Sequence, residues 1–207
     1  MRKLILKMSV SIDGFVGGPA GELDWIFRTM DDEAAAWTIK AISHAGVHIM
    51  GSRTFKDMAA YWPSSTEPFA PPMNNIPKVV FARKGLDGGT QTRGLDDARA
   101  SALSPPTTAT PKAVASWTSA RVASGPLAEE VARLKNEPGG PIVAHGGATF
   151  AQSLVRDGLV DEYQLLIHPV ALGRGLPLFA KLTEPLTFEL VEVKRFPRGA
   201  AAHIYAR

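Results

Sequence analysis

The residues best suited to chemistry in this chain sit in one run, Pro141-Ile142-Val143-Ala144-His145-Gly146-Gly147-Ala148-Thr149. Ile142, Val143 and Ala144 have the apolar character of a short buried strand, and two glycines follow at once. Residues 149–156 then place Phe150, Leu154 and Val155 on one helical face, with Gly158 where a helix commonly ends. A strand that turns through Gly-Gly into a helix leaves backbone N–H groups unpaired at the positive end of the helix dipole. Glycine also lets a bulky anion come close to the backbone. The chemistry this suits is a phosphate seat, a pyrophosphate above all. The plain alternative is a tight turn with no ligand.

The same arrangement occurs earlier. Val47 to Met50 reads as a short strand running into Gly51-Ser52-Arg53-Thr54, with a helix over 55–60 behind it, so a cation and two hydroxyls stand at that turn. A third strand, Val79-Val80-Phe81, ends in Ala82-Arg83-Lys84-Gly85 and puts two cations at its carboxyl end. Asp13 stands in the polar turn Ser11-Ile12-Asp13-Gly14 that closes a first strand over 4–10.

These residues need a scaffold, and the patterning supplies one. Asp31 or Asp32 can cap a helix through Ala34, Trp37, Ile39 and Ile42 that stops before Gly46. Residues 61–76 are rich in proline and polar side chains and read as an ordered loop. Between 88 and 112 the composition turns to Gly, Ser, Thr and Pro, which reads as a flexible surface insertion within one domain. Structure is expected to resume near Ala120. Gly125-Pro126 opens a helix with Leu127, Val131 and Leu134 on one face. Residues 162–169 read as a strand, the loop Leu172-Gly173-Arg174-Gly175-Leu176-Pro177 follows, and two final strands around Pro197-Arg198-Gly199 form an antiparallel hairpin. Strands alternating with helices, then strands alone, define a three-layer α/β fold. Its sheet of about eight strands is mostly parallel, with helices on both faces and an antiparallel edge.

Composition narrows the function classes. The chain has no cysteine, which excludes thiol nucleophiles and thiolate metal sites. A net charge of +3, scattered along the chain, argues against nucleic acid as partner. No apolar run reaches membrane-spanning length, and Lys7 breaks the opening apolar run too early for a signal peptide, so a cytoplasmic location is expected. His44 and His48 straddle Gly46 and share no helical face, while His145, His168 and His203 read as core or hydrogen-bonded; no metal site is expected. Neither G-x-G-x-x-G nor a Walker lysine is present.

Five motifs in order carry a resemblance: Ser9-Val10-Ser11-Ile12-Asp13-Gly14, Met50-Gly51-Ser52-Arg53-Thr54-Phe55, Val80-Phe81-Ala82-Arg83, His145-Gly146-Gly147-Ala148-Thr149, and Asp161-Glu162-Tyr163 running on to His168-Pro169-Val170-Ala171-Leu172-Gly173-Arg174-Gly175. Together the chain resembles the dihydrofolate-reductase-like superfamily. The branch is that of the reductase domain of the riboflavin-biosynthesis deaminase-reductase and its stand-alone relatives. The resemblance implies an NADPH-dependent reductase of a small heterocyclic substrate, assembled as a homodimer.

By that resemblance the turns Gly51-Ser52-Arg53-Thr54 and Gly146-Gly147-Ala148-Thr149, with His145, would hold the pyrophosphate. Arg53 and Arg83, with Lys84, would meet the adenosine 2′-phosphate beside Phe81 and Ala82. Ser9 and Val16 would flank the nicotinamide, and Ser124 would lie near the adenine. Asp13 is the expected substrate-facing acid, or else a turn carboxylate bonding backbone. Trp25, Ile26 and Trp62 would wall the substrate pocket, with Arg174 at its polar end. The chain departs from folate reductases: Glu33 or Ala34 stands where they carry a pteridine-gripping acid, and Ser52 where they usually carry arginine. A pterin reductase and a non-catalytic nucleotide-binding sensor or scaffold stay as alternatives.

Overall fold

A computed structural model describes residues 1–83, 85 and 110–207. Lys84 and nearly all of the expected insertion lie outside the described residues.

The chain builds β1 (Leu4–Ser11), α1 (Asp24–Phe27), α2 (Asp32–Ser43), β2 (Val47–Gly51), α3 (Ser52–Tyr61), α4 (Ala70–Asn75), β3 (Lys78–Phe81), α5 (Pro111–Thr118), β4 (Arg121–Ala123) and α6 (Leu127–Asn136). Then come β5 (Ile142–Ala144), α7 (Ala148–Arg156), β6 (Glu162–His168), β7 (Glu189–Arg195) and β8 (Ala201–Ala206). The eight strands form one sheet in the order β4-β3-β2-β5-β1-β6-β8-β7. The first six positions pair in parallel, and β8 and β7 join antiparallel at the edge. This is the architecture expected from the alternation of elements. No described helix is long and apolar enough to cross a membrane.

Period-two alternation in β1 sends Leu4, Leu6, Met8 and Val10 into the main core, where Ile49 of β2, Ile142 and Ala144 of β5, Val131 and Leu134 of α6, and Ala151, Leu154 and Val155 of α7 meet them. Each buried Leu, Ile, Val or Met side chain among them contributes about 1.5–3 kcal/mol. The opposite face carries Ile42 of α2 with Met50, Phe55, Met73 and Val80, and farther along Ala34 with Leu166 and Phe196. Asp31 caps α2 by accepting from the Ala34 N–H at 2.9 Å.

Two stretches are more ordered than expected. Residues 61–76 hold a 3₁₀ turn at Trp62–Ser64 and the helix α4, anchored by buried Met73. Helix α5 starts inside the expected insertion, with Thr110 accepting from the Ala113 N–H and Pro111 in the first turn. Its Trp117 is 3% exposed and donates to Asn74 Oδ1 at 2.8 Å, while Asn74 Nδ2 donates to the Trp62 carbonyl at 2.8 Å. One buried indole thus fastens α5 to α4. In urea unfolding, Trp117→Ala is expected to cost about 3–5 kcal/mol and Thr110→Ala about 1 kcal/mol; near-equal losses would place the anchor elsewhere.

Candidate functional site

Because β5 inserts beside β2, the turns that leave these strands are neighbours. The Gly51 N–H donates to the Gly146 carbonyl at 3.0 Å, and the His145 N–H to the Ile49 carbonyl at 3.0 Å. The approach is close enough that a Cβ on Gly147 would stand 2.9 Å from Thr54 Oγ1, and one on Gly51 would stand 3.2 Å from Phe150 Cβ. Gly146 has φ +92°, open to glycine and unfavourable for other residues, and the Gly146–Gly147 peptide is cis. Gly51 and Gly147 are the N-cap residues of α3 and α7, and neither helix has a side-chain cap or an acidic residue in its first turn. Two sets of unpaired N–H groups and two positive dipole ends therefore converge on one spot at the carboxyl edge of the sheet. Side-chain-free glycines and uncontested N–H groups fit the pyrophosphate of a dinucleotide.

Along the same edge, β3 delivers Phe81, whose ring packs 4.9 Å from that of Phe150, and then Ala82, whose N–H donates to the Ala123 carbonyl at 3.0 Å. Arg53 and Arg83 are exposed, and neither forms an ion pair among the described residues. Ser124, exposed beyond β4, completes this flank, with Ser52, Ala148 and Thr149 in the first turns of the two helices. Val16 is 5% exposed, with its side chain in the main core. Ser9 is half-buried in β1, opposite Leu166.

Asp13 is a clasp. Its carboxylate accepts from Ser11 Oγ at 2.5 Å, from the Gly173 N–H at 2.7 Å and from the Leu172 N–H at 3.1 Å. Ser11 Oγ in turn accepts from the Phe15 N–H at 3.0 Å. The serine hydroxyl above all, then the Gly173 N–H, holds the Asp13 pKa below the ordinary carboxylate value. A carboxylate held ionised is a poor acid, and these bonds from backbone N–H groups are those of the turn carboxylate given as the alternative. Backbone bonds from Val16 N–H to the Leu176 carbonyl and from Leu178 N–H to the Gly14 carbonyl, 2.9 and 3.0 Å, extend the clasp. Arg174, exposed, follows the clasped residues.

The expected aromatic wall divides. Trp25, 3% exposed, meets the His168 ring edge-on at 5.3 Å, and half-buried Ile26 follows it in α1. Trp62 packs instead with Phe55, Met73 and Trp117 on the β2–β3 side, because that aromatic cluster is its own small core. It is not beside Trp25.

A row of polar groups on the α2 face of the sheet was not anticipated. His48 stands opposite Lys78 and Val143, and Lys7 and His145 follow the paired residues Leu6 and Ala144. The Lys7 side chain is partly accessible, yet its ammonium is desolvated enough to lower its pKa to about 8. Burial lowers His48 to about 3, and lowers His168 to about 4 with help from the Lys7 charge. Burial also holds His145 well below the usual imidazole value, reinforced by His48, Lys7 and Lys78. His48 Nε2, His168 Nε2 and Thr38 Oγ1 are buried without a hydrogen-bond partner among the described residues. Each such atom keeps hydrogen-bonding capacity for an ordered water or a ligand. The readable sign was Lys7, a lone charge inside an apolar strand.

The fold is that of an α/β protein in which two glycine-fronted helix N-termini meet at the carboxyl ends of its parallel strands. The chain belongs to the RibD C-terminal domain family, which matches residues 2–202. It is 27% identical over 209 residues to the uncharacterized protein YyaP of Bacillus subtilis (strain 168), covering 99% of this chain and 94% of that one. Among solved structures it resembles a diaminohydroxyphosphoribosylaminopyrimidine deaminase/5-amino-6-(5-phosphoribosylamino)uracil reductase from Thermotoga maritima, at TM-score 0.66 and 16% identity over 99% of this chain and 56% of that one. It also resembles a pyrimidine reductase-like protein from Corynebacterium diphtheriae, at TM-score 0.62 and 18% identity over 99% of this chain and 91% of that one.

The lowered lysine pKa values have a thermodynamic signature. Between pH 8 and 10.5 the unfolded chain holds protons on Lys7 and Lys78 that the folded chain has released, so stability rises with pH there. The expected slope is at most about 1.4 kcal/mol per pH unit for each lysine. Lys7→Met should remove its share in urea melts taken from pH 8 to 9.5; an unchanged slope would show that Lys7 is not desolvated.

Proposed function

We propose that this protein is an NADPH-dependent reductase that delivers a hydride to a small heterocyclic acceptor, akin to the pyrimidine reductases its structural neighbours are named for. The observation that carries the reading is the hydrogen-bonded pair of uncapped, glycine-fronted helix N-termini. Membership of the RibD C-terminal domain family supports it.

Bound NADPH would supply the hydride. The Gly51-to-Thr54 and Gly146-to-Thr149 turns take the pyrophosphate, Arg53 and Arg83 the 2′-phosphate, and Ser124 the adenine end. Ser9 and the clasped loop at Val16 border the nicotinamide end. Reduction of an imine or carbonyl also needs a proton, and Lys7 takes the role first expected of Asp13. An ammonium titrating at about 8 is matched to donation near neutral pH. Asp13 keeps the rim in place.

Pterin reduction is disfavoured, because Ala34 on the inner side of α2 is fully buried against apolar neighbours and Glu33 is exposed. The non-catalytic sensor differs from the reductase by one result: it binds NADPH without oxidising it against pyrimidine, pterin and flavin-like acceptors. In fluorescence titrations, Arg53→Ala and Arg83→Ala should each weaken NADPH about 10–100-fold and leave NADH within about twofold. Equal losses for both cofactors would remove the 2′-phosphate role. Lys7→Gln should lower turnover about 100-fold or more with NADPH affinity kept.

The homodimer belongs to the same proposal. Edge strand β7 exposes Leu190, Val191 and Val193 by 54%, 60% and 51%, and a second copy would cover them. Val191→Asp with Val193→Asp should sediment as a monomer; an unchanged dimer would move the interface elsewhere.

A further inference from the structure

The His48 and His145 rings lie side by side, with centroids 4.5 Å apart and planes 17° from parallel, and His48 Nδ1 is hydrogen-bonded to His145 Nε2. Burial keeps both imidazoles neutral near pH 7. Two neutral rings share a single proton across that contact, so their outer nitrogens, His48 Nε2 and His145 Nδ1, have opposite character. If one carries a proton, the other offers a lone pair.

His48 Nε2 is buried and has no partner among the described residues. A buried N–H without an acceptor is rarer than a buried acceptor without a donor, and Lys78 stands in register beside His48. Both facts leave the lone pair on His48 Nε2. His48 Nδ1–H then donates to His145 Nε2, and His145 Nδ1 carries its proton. That nitrogen has no partner among the described residues. His145 joins the glycine turn to the row that holds Lys7, whose charge reaches it, and Lys7 is the proton donor proposed above.

Resting on the reductase reading, we propose that His145 contacts the substrate as a hydrogen-bond donor and selects a ring with an acceptor edge, such as a lactam carbonyl. His48 is the positioning residue that fixes which His145 nitrogen carries the proton.

The test uses the full chain labelled with ¹⁵N-histidine and saturated with NADP⁺, with 5,6-diaminouracil as the carbonyl-bearing probe. Long-range ¹H–¹⁵N spectra at neutral pH should show His145 as the Nδ1–H tautomer, and the probe should shift its resonances. His48→Phe keeps a ring of similar shape but not the hydrogen bond. It should mix the His145 tautomers and weaken the probe about tenfold or more, with NADP⁺ affinity unchanged. His48→Asn, which can still donate to His145 Nε2, should recover most of the loss; it also carries the test if the phenylalanine variant does not fold. An Nε2–H tautomer in the wild type, His145 resonances indifferent to the probe, or a probe that does not bind the NADP⁺ complex overturns the proposal. Failure of NADP⁺ itself to bind overturns the dinucleotide reading instead.

Discussion

One backbone hydrogen bond, from Gly51 N–H to the Gly146 carbonyl, summarises the constraint on which the site depends. It exists because β5 returns to the middle of the sheet and takes its place between β2 and β1. Were β5 at the edge, each helix N-terminus would stand alone. A pair facing a common point concentrates two half-charges and a double set of donors where neither the sequence nor the helices supply a competing carboxylate. The glycines are there because the turns crowd each other, as the near-contact with Thr54 shows.

That constraint was legible before the structure was, since strand–glycine–helix is a local signal. So were the layers, the cap at Asp31 and the terminal hairpin. Helix α5 was hidden, although its threonine cap and first-turn proline are a recognisable start, because both residue types also made the surrounding stretch look unstructured. The partners of Asp13 were out of reach for a different reason. Its backbone donors at Leu172 and Gly173 lie 159 and 160 residues away, and nothing local announces them.

The polar row under α2 shows a third limit. Alternation reveals which residues of one strand share a face, yet says nothing about which strands lie side by side. Lys7, His48, Lys78 and His145 come from four strands that are neighbours only through the sheet order. Individually each reads as an exception to be excused. Side by side Lys7, His48 and His145 make a run of nitrogen-bearing side chains, and at its end the Lys78 ammonium donates to the Ile76 carbonyl and Ser116 Oγ.

The clasp at Asp13 bears on how relatives of this fold exchange parts. The turn after β1 and the loop after β6 are fastened by one carboxylate and a ladder of main-chain bonds, so they form a single piece of architecture that happens to be encoded twice. Grafting either segment alone from a relative leaves an ill-matched seam, whereas transplanting both together carries the fastening with them. A change in one loop is thereby felt by the other, and the two move as one piece.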